Sequence, residues 1–370
     1  MANFYASKEW AILVPPDVPE VQKAAGDLSR YIGLLAGSAE GLVKKPPVLM
    51  DANGPAPAAQ VSVITLNSEG GLPQRNGFSW RTSPDRIEIH GESGRGLCNG
   101  IYSFLSSLGI NWPALGQETL PSPQVANLRV YHILTAFREG NDDDRVFQPS
   151  GYNESSPVSI SWRRFAIASA KELRAICKQS ESFVAWAARR RYDALILPLA
   201  AFASRWMARK IGELKAIAAE YGIAIEAGGR ELSALVPRRF FMFHRDYFRM
   251  EEGRRKKDHH FCASNPSVIE IIAKEGAKLF RAAGEARVFH LWPDKTAKTS
   301  PSAWCACPAC RAFTAAEQNR ISVNAAASAL QTVNPEAHIT FFEKPGEGNN
   351  VPLRPNLFKL EKLPDEKESN

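Results

Sequence analysis

The side chains best suited to chemistry in this 370-residue chain lie close together in its last third. The apolar run Val288–Leu291 contains His290 and is followed at once by Trp292 and Asp294. An imidazole and a carboxyl group can transfer protons, and an indole ring offers a broad apolar face with one polar N–H. We therefore interpret the end of this predicted strand as a candidate substrate site.

Three cysteines follow within six residues, Cys305, Cys307 and Cys310. Three thiolates so close together can bind one tetrahedral zinc if a fourth ligand comes from elsewhere. The candidates for that ligand share an earlier loop: Cys262, His259 and His260. We predict a structural zinc that joins the two loops, with free thiols or one disulfide as the alternatives.

Composition is that of a globular protein, with 44% hydrophobic and 23% charged residues. Six cysteines in a chain of this length do not make a disulfide scaffold. No membrane-spanning segment or signal peptide is evident. We expect a cytoplasmic protein, or an exported one if the N-terminus has been trimmed.

The formal charge of +7 comes largely from two short basic runs, residues 189–191 and 254–257. Runs of this kind are usually solvated faces. Aromatic residues do not alternate with the basic ones, as they do in single-strand binders. We expect neither a nucleic-acid partner nor a membrane partner.

The pattern of elements predicts an α/β fold with two domains: an N-terminal α/β sandwich-like domain at 1–120 and a TIM-barrel-like domain at 158–345. Residues 121–157 read as a linker and 346–370 as an irregular tail. Glycines at 91–96 are interpreted as a tight strand-to-helix turn, because their order matches no phosphate-binding fingerprint.

Strands and helices alternate through the second domain, which indicates a parallel sheet covered by helices. Five strands are predicted there, and 356–360 is a candidate sixth. A complete (β/α) barrel usually takes about 250 residues, whereas about 210 remain after 157. We expect an incomplete barrel, which makes the chain a fragment, a degenerate relative or an oligomer that completes the fold in trans.

Three stretches carry a family resemblance: 89–113 with its Ile-His-Gly and Trp-Pro pairs, 226–232 (EAGGREL), and 290–294 (HLWPD) with the CxCxxC loop. Together they resemble an uncharacterised bacterial family of glycoside hydrolase-like proteins. Its members pair an α-glucuronidase-like N-terminal domain with a TIM barrel. The resemblance covers roughly residues 9 to 343.

The resemblance implies a sugar site at the carboxyl ends of the barrel strands, with Asp294 and Glu226 as the carboxyl pair that most glycosidases need. Two positions depart from the family pattern, Arg230 and Lys295. A lysine, with an ordinary pKa of ~10.4, is a poor general acid at neutral pH. Glu226 has a simpler alternative role as an ion-pair partner of Arg230.

Further residues are predicted to bind substrate. Arg230 and His290 would orient it, and Trp292 and Trp304 would stack on sugar faces. Tyr247 and Arg249 belong to a long loop that suits an acidic sugar. Each has a structural alternative: core packing for the aromatic rings and His290, and a solvated loop for Tyr247 and Arg249.

The sequence thus favours a carbohydrate-active, glycoside hydrolase-like protein with a structural zinc and no organic cofactor. A non-catalytic sugar-binding or interaction module that has lost its acid pair is the main alternative, which Lys295 favours. A zinc-dependent nucleic-acid binder is the third hypothesis.

Overall fold

The computed structural model describes eleven segments of the chain: residues 10–16, 18–37, 48–55, 62–68, 78–83, 86–121, 137–140, 163–258, 260–294, 303–342 and 356–359. Lys295, His259 and nearly all of the predicted linker lie outside these segments. The described residues form two compact units. The first unit contains the described residues of Met1–Phe165, Lys178–Ala194 and Glu213–Ala224. The second unit contains the described residues of Ala166–Cys177, Leu195–Gly212 and Ile225–Asn370.

The first unit is built on a mixed sheet of six strands, in the order β2-β1-β3-β5-β4-β6. Its elements are β1 (Trp10–Val14), α1 (Pro19–Gly37), β2 (Val48–Asp51), β3 (Ser62–Ser68), β4 (Phe78–Ser83), β5 (Arg86–Gly91), α2 (Gly94–Ser107) and β6 (Phe137–Gly140). Strands β1, β2, β3 and β5 pair in parallel, whereas β4 is antiparallel to both its neighbours. Helices α1 and α2 pack together and against this sheet.

The turn from β5 into α2 is as tight as the sequence predicts. A Cβ atom added to Gly91 would lie 2.1 Å from the backbone nitrogen of Leu97. The Ser93 side chain accepts a hydrogen bond from the Gly96 N–H and so caps α2. Glycine is needed at 91 because the helix backbone packs directly on the strand end.

A second sheet has six strands in the order β14-β13-β12-β9-β8-β7. Its strands are β7 (Arg164–Ala166), β8 (Ala194–Leu197), β9 (Ala224–Gly229), β12 (Val288–Leu291), β13 (His338–Phe341) and β14 (Asn356–Lys359), and a hairpin apart from it pairs β10 (Met250–Glu251) with β11 (Arg254–Arg255). The connecting helices are α3 (Ala170–Ile176), α4 (Ser180–Arg189), α5 (Leu199–Phe202), α6 (Arg205–Ala219), α7 (Pro266–Ala283) and α8 (Ala315–Gln331).

The strands of this sheet from β7 to β13 follow chain order with helices between them, which is the winding of a (β/α) barrel. Strands β9, β12 and β13 pair in parallel. The predicted α/β class and barrel-like winding are confirmed. Strand β14 forms at the candidate sixth strand, 356–360, inside the predicted irregular tail, and it runs antiparallel to β13, so it does not continue the parallel series.

The apolar core of the second unit lies between this sheet and its helices. Helix α7 begins after Asn265, whose side chain accepts a hydrogen bond from the Ser267 N–H and so caps the helix. Phe280 of α7 meets Phe289 of β12 edge to face, with 5.5 Å between ring centroids, and both rings are fully buried. No helix in the described segments is long and apolar enough to cross a bilayer.

Candidate functional site

A buried polar network joins the three neighbouring parallel strands β9, β12 and β13. His290 Nε2 lies 2.8 Å from a carboxylate oxygen of Glu226, and its Nδ1 lies 2.7 Å from the hydroxyl of Thr340. The Trp292 indole N–H donates to the same hydroxyl over 2.8 Å. All four side chains are at most 8% exposed. The parallel register creates the network, because His290 pairs directly with Thr340 on one side.

The network has a consistent set of donors and acceptors. Because the Thr340 hydroxyl accepts the indole proton, it can donate its own proton to His290 Nδ1. His290 Nε2–H then donates to Glu226, as a neutral imidazole requires. Glu226 therefore has His290 as its partner. The predicted alternative, a pair with Arg230, does not form, since Arg230 is exposed at the end of β9.

Two further carboxyl groups follow the ends of β9 and β12. Asp294 is partly buried three residues after β12, and Glu231 is partly buried two residues after β9. Burial raises the pKa of Glu231 above its ordinary value, and the negative charge of Asp294 raises it further. The N–H groups of Ala200 and Leu199 act in the opposite direction by donating to the carboxylate. Asp294 and Glu231 therefore lie at neighbouring strand ends, and the charge of Asp294 is one of the contributions to the raised pKa of Glu231.

Glu231 was not predicted as a site residue, although it lies inside the EAGGREL stretch. Its position shortly after the apolar run that forms β9 was the available signal. Arg238 was missed as well. Its guanidinium donates to the carbonyls of Ser233 and His260. Burial lowers the Arg238 pKa, and the negative charge of Asp294 opposes that effect.

The Gly228-Gly229 pair at the end of β9 has a backbone conformation that residues other than glycine rarely adopt, with φ angles of +108° and +113°. Gly228 pairs with His290 in the parallel ladder. A Cβ atom at Gly228 would lie 2.3 Å from the His290 carbonyl oxygen. Glycine at this position therefore permits the close approach of β9 and β12 on which the network depends.

The two tryptophans predicted to stack on sugars are both packed inside the unit. Trp292 is 8% exposed and lies against His290 and Phe342. Trp304 is 3% exposed and meets the buried His260 ring edge to face at 4.2 Å. Stacking of either indole on a sugar would require these contacts to open.

The two substrate-binding residues predicted on the long loop already have partners. Arg249 is buried and forms a bidentate pair with Asp258, with distances of 2.6 and 2.7 Å, and a third contact of 3.2 Å with Glu251. Tyr247 is partly buried and stacks on His244. Arg249 therefore holds its own loop, and a uronate would have to compete with two carboxylates.

The four predicted metal ligands come together in one buried cluster. The sulfur atoms of Cys262, Cys305, Cys307 and Cys310 all lie within 4.8 Å of one another. No disulfide joins them. Hydrogen bonds from the neighbouring thiols of Cys305 and Cys310 hold the pKa of Cys262 below its ordinary value. Four buried thiols so close together can bind a metal ion.

The other candidate ligand in the described segments, His260, stays outside this cluster. Its ring is fully buried between Phe261 and Trp304. Burial lowers the His260 pKa to about 3, so the ring is neutral at physiological pH. Of the three candidates for the fourth ligand, Cys262, His259 and His260, it is Cys262 that lies in the cluster.

The CxCxxC loop is held by a glutamine that was not predicted as a site residue. The Gln318 amide of α8 accepts from the Cys305 N–H and donates to the carbonyls of Cys305 and Cys310. The side chain is 3% exposed. Gln318 thus satisfies loop backbone groups that burial would otherwise leave unpaired.

No family model and no curated protein matches this chain. Solved structures with a similar fold include Flavobacterium johnsoniae chitobiase, with 12% identity, a TM-score of 0.49, and coverage of 92% of this chain and 50% of that one. A mutant Streptomyces plicatus β-hexosaminidase in complex with its product GlcNAc has 11% identity, a TM-score of 0.46, and coverage of 93% and 64%.

An exo-β-N-acetylglucosaminidase from Vibrio harveyi in complex with N-acetylglucosamine has 12% identity, a TM-score of 0.45, and coverage of 93% and 53%. The chain thus spans between half and two thirds of these proteins. At such identities and TM-scores, the matches assign no reaction, substrate or catalytic residue to this chain. The α-glucuronidase-like character of the first domain stays a prediction.

Proposed function

We propose that this chain is a carbohydrate-active, glycoside hydrolase-like protein whose site lies at the carboxyl ends of β9 and β12. One observation carries the proposal: two partly buried carboxyl residues, Glu231 and Asp294, closely follow the ends of the paired strands β9 and β12. Active sites of barrel-like folds gather at the carboxyl ends of their strands. Most glycosidases use a pair of carboxyl groups.

The two carboxyl groups would divide the chemistry between them. Glu231 is the proton donor to the glycosidic oxygen, because its raised pKa keeps the proton longer. Asp294 would be the second carboxyl group, acting as nucleophile, as base or as stabiliser of positive charge on the sugar ring. This assignment replaces the predicted pair of Asp294 and Glu226.

Glu226 and His290 would then be positioning residues. Their 2.8 Å contact is buried below the ends of the strands that lead to Asp294 and Glu231. Arg230 is exposed between Gly229 and Glu231, so its guanidinium is available to a substrate hydroxyl or carboxylate. The proposed chemistry assigns no metal to the carboxyl groups, and the predicted structural zinc belongs to the cysteine cluster.

The alternative function is a non-catalytic sugar-binding module. Lys295 favours it, because it follows Asp294 directly and a lysine is a poor general acid at neutral pH. In that case Asp294 and Glu231 would accept hydrogen bonds from sugar hydroxyls without cleaving a bond.

Turnover of a panel of aryl glycosides, including glucuronides and N-acetylhexosaminides, tests the proposal. We expect Asp294→Asn and Glu231→Gln to lower kcat/KM at least about 100-fold, as loss of an acid or base group does. Glu270→Gln, which changes an exposed carboxylate on α7, is the matched control and should match the unmodified protein. Sugar binding without turnover of any glycoside would select the non-catalytic module.

A further inference from the structure

The cysteine cluster is separate from the carboxyl pair and has no part in the proposed sugar chemistry. We propose that Cys262, Cys305, Cys307 and Cys310 bind a single zinc ion in a closed tetrahedral site with a structural role. The four sulfur atoms come from two places in the chain 43 residues apart at their nearest. All four residues are at most 4% exposed.

The spacing of the sulfur atoms suits one zinc ion. A tetrahedron with Zn–S bonds of about 2.3 Å has S–S edges of about 3.8 Å. Cys262 Sγ lies 3.7 Å from the Sγ atoms of both Cys307 and Cys310. No pair of the four sulfur atoms exceeds 4.8 Å. One ion at the centre would need only small side-chain shifts to reach all four.

Other uses of four thiols fit this spacing less well. A disulfide brings two sulfur atoms to about 2.05 Å, whereas Cys262 Sγ lies 3.7 Å from the sulfur atoms of both Cys307 and Cys310. A cluster of several iron atoms would spread its cysteines around more than one metal centre. Four sulfur atoms all within 4.8 Å of each other leave room for one ion.

The surroundings supply the hydrogen bonds that thiolate ligands need. The Met250 N–H donates to Cys305 Sγ over 3.3 Å, and the Cys310 N–H donates to Cys307 Sγ over 3.4 Å. Arg255 Nη1 lies 3.9 Å from Cys305 Sγ and donates to the Phe248 carbonyl. Four thiolates and Zn²⁺ carry a net charge of −2, which these donors and the arginine offset.

The ion would join two segments of the second unit, the Cys262 segment before α7 and the CxCxxC loop before α8. Between these segments the Ser264 hydroxyl also lies 3.1 Å from Cys310 Sγ and 3.8 Å from Cys307 Sγ. The β10–β11 hairpin supplies no ligand, but it contacts the loop because the Ala306 N–H donates to the Met250 carbonyl and the Met250 N–H donates to Cys305 Sγ. Zinc would add its binding energy to these contacts in ordering the loops.

The full chain, purified without chelator, tests the proposal by elemental analysis and by cobalt substitution. We expect about one zinc per chain, and an intense visible spectrum of tetrahedral cobalt–thiolate when Co²⁺ replaces it. Cys262→Ser should lose most of the zinc and the spectrum. Cys177→Ser, which changes a thiol outside the cluster, is the matched control and should keep both.

Several outcomes would overturn the proposal. They are less than half an equivalent of zinc in the unmodified chain, a full equivalent of iron instead, or disulfides among the four cysteines by mass spectrometry. Retention of zinc by Cys262→Ser with an unchanged cobalt spectrum would remove Cys262 as a ligand. If that variant fails to fold, Co²⁺ titration of the chelator-treated unmodified chain decides, since a tetrahedral thiolate spectrum that saturates at one equivalent is expected.

Discussion

The second unit contains two buried polar clusters that differ in how their polar groups are satisfied. The strand network of Glu226, His290, Thr340 and Trp292 satisfies itself, because each donor points at an acceptor on a neighbouring strand. The cysteine cluster brings together four weakly hydrogen-bonding thiols on loops. Rigid strands can position a closed hydrogen-bond network unaided, whereas the thiol cluster on the loops would be completed by the zinc ion that we propose.

Removal of metal should have the largest effect. If free zinc stands about a thousandfold above its Kd, binding contributes about 4 kcal/mol of stability. We expect chelator to lower Tm on the order of 10 °C in a thermal scan. Added zinc should restore the original value, and Cys262→Ser should not respond to chelator. An unchanged Tm after complete removal of the metal would show that the loops keep their structure without it.

Glu226→Ala should have the next largest effect, a loss of about 3 kcal/mol in urea unfolding, because it leaves His290 buried without its partner. Glu226→Gln keeps an acceptor oxygen and should cost about 1 kcal/mol. Chelator should lower the Tm of both variants as much as that of the unmodified protein. Equal losses for the two substitutions would mean that the contact with His290 contributes little.

Gly228→Ala tests the close approach of β9 and β12 on which the Glu226–His290 network depends. We expect a loss of about 2 kcal/mol, because φ is +108° and the new Cβ would meet the His290 carbonyl. The matched control is Gly212→Ala, on an exposed face of α6 with no atom near the added carbon. It should instead gain about 0.5–1 kcal/mol. Equal effects of the two substitutions in urea unfolding would contradict this account.

The smallest effect concerns pH and Glu231. The folded-state pKa of Glu231 is raised, so the folded chain binds the proton more tightly than the unfolded chain does. This contribution to stability is present below the ordinary carboxyl pKa and is lost as pH rises through the raised one. The free energy of unfolding of the unmodified chain should therefore fall relative to Glu231→Gln as pH rises from 4. Parallel curves would show that Glu231 titrates normally.

Most of the secondary structure was predictable from local pattern. The strand Trp10–Val14 and the helix Pro266–Ala283 illustrate this, because apolar periodicity and the Asn265 cap are local signals. The strand Arg164–Ala166 is short, and the residues before 163 lie outside the described segments.

Site residues were predictable by position, but their partners were not. Asp294 and Glu226 lie on or just after strands, as predicted. Glu226 pairs with His290, 64 residues away in the chain, whereas Arg230 is exposed. Glu231 was missed because its raised pKa depends on burial and on Asp294, which only the folded chain brings near it.

The sequence by itself determined the α/β alternation, the glycine turns and three thiols within six residues, since these depend on neighbours along the chain. Only the tertiary structure decided that Cys262 completes the thiol cluster, and that His260 is packed against aromatic rings instead. The physical reason is the same in both clusters. Parallel strands and the loops after them bring distant residues within a few ångströms. Which residues meet depends on the pairing register of the strands, and this register is a property of the whole sheet.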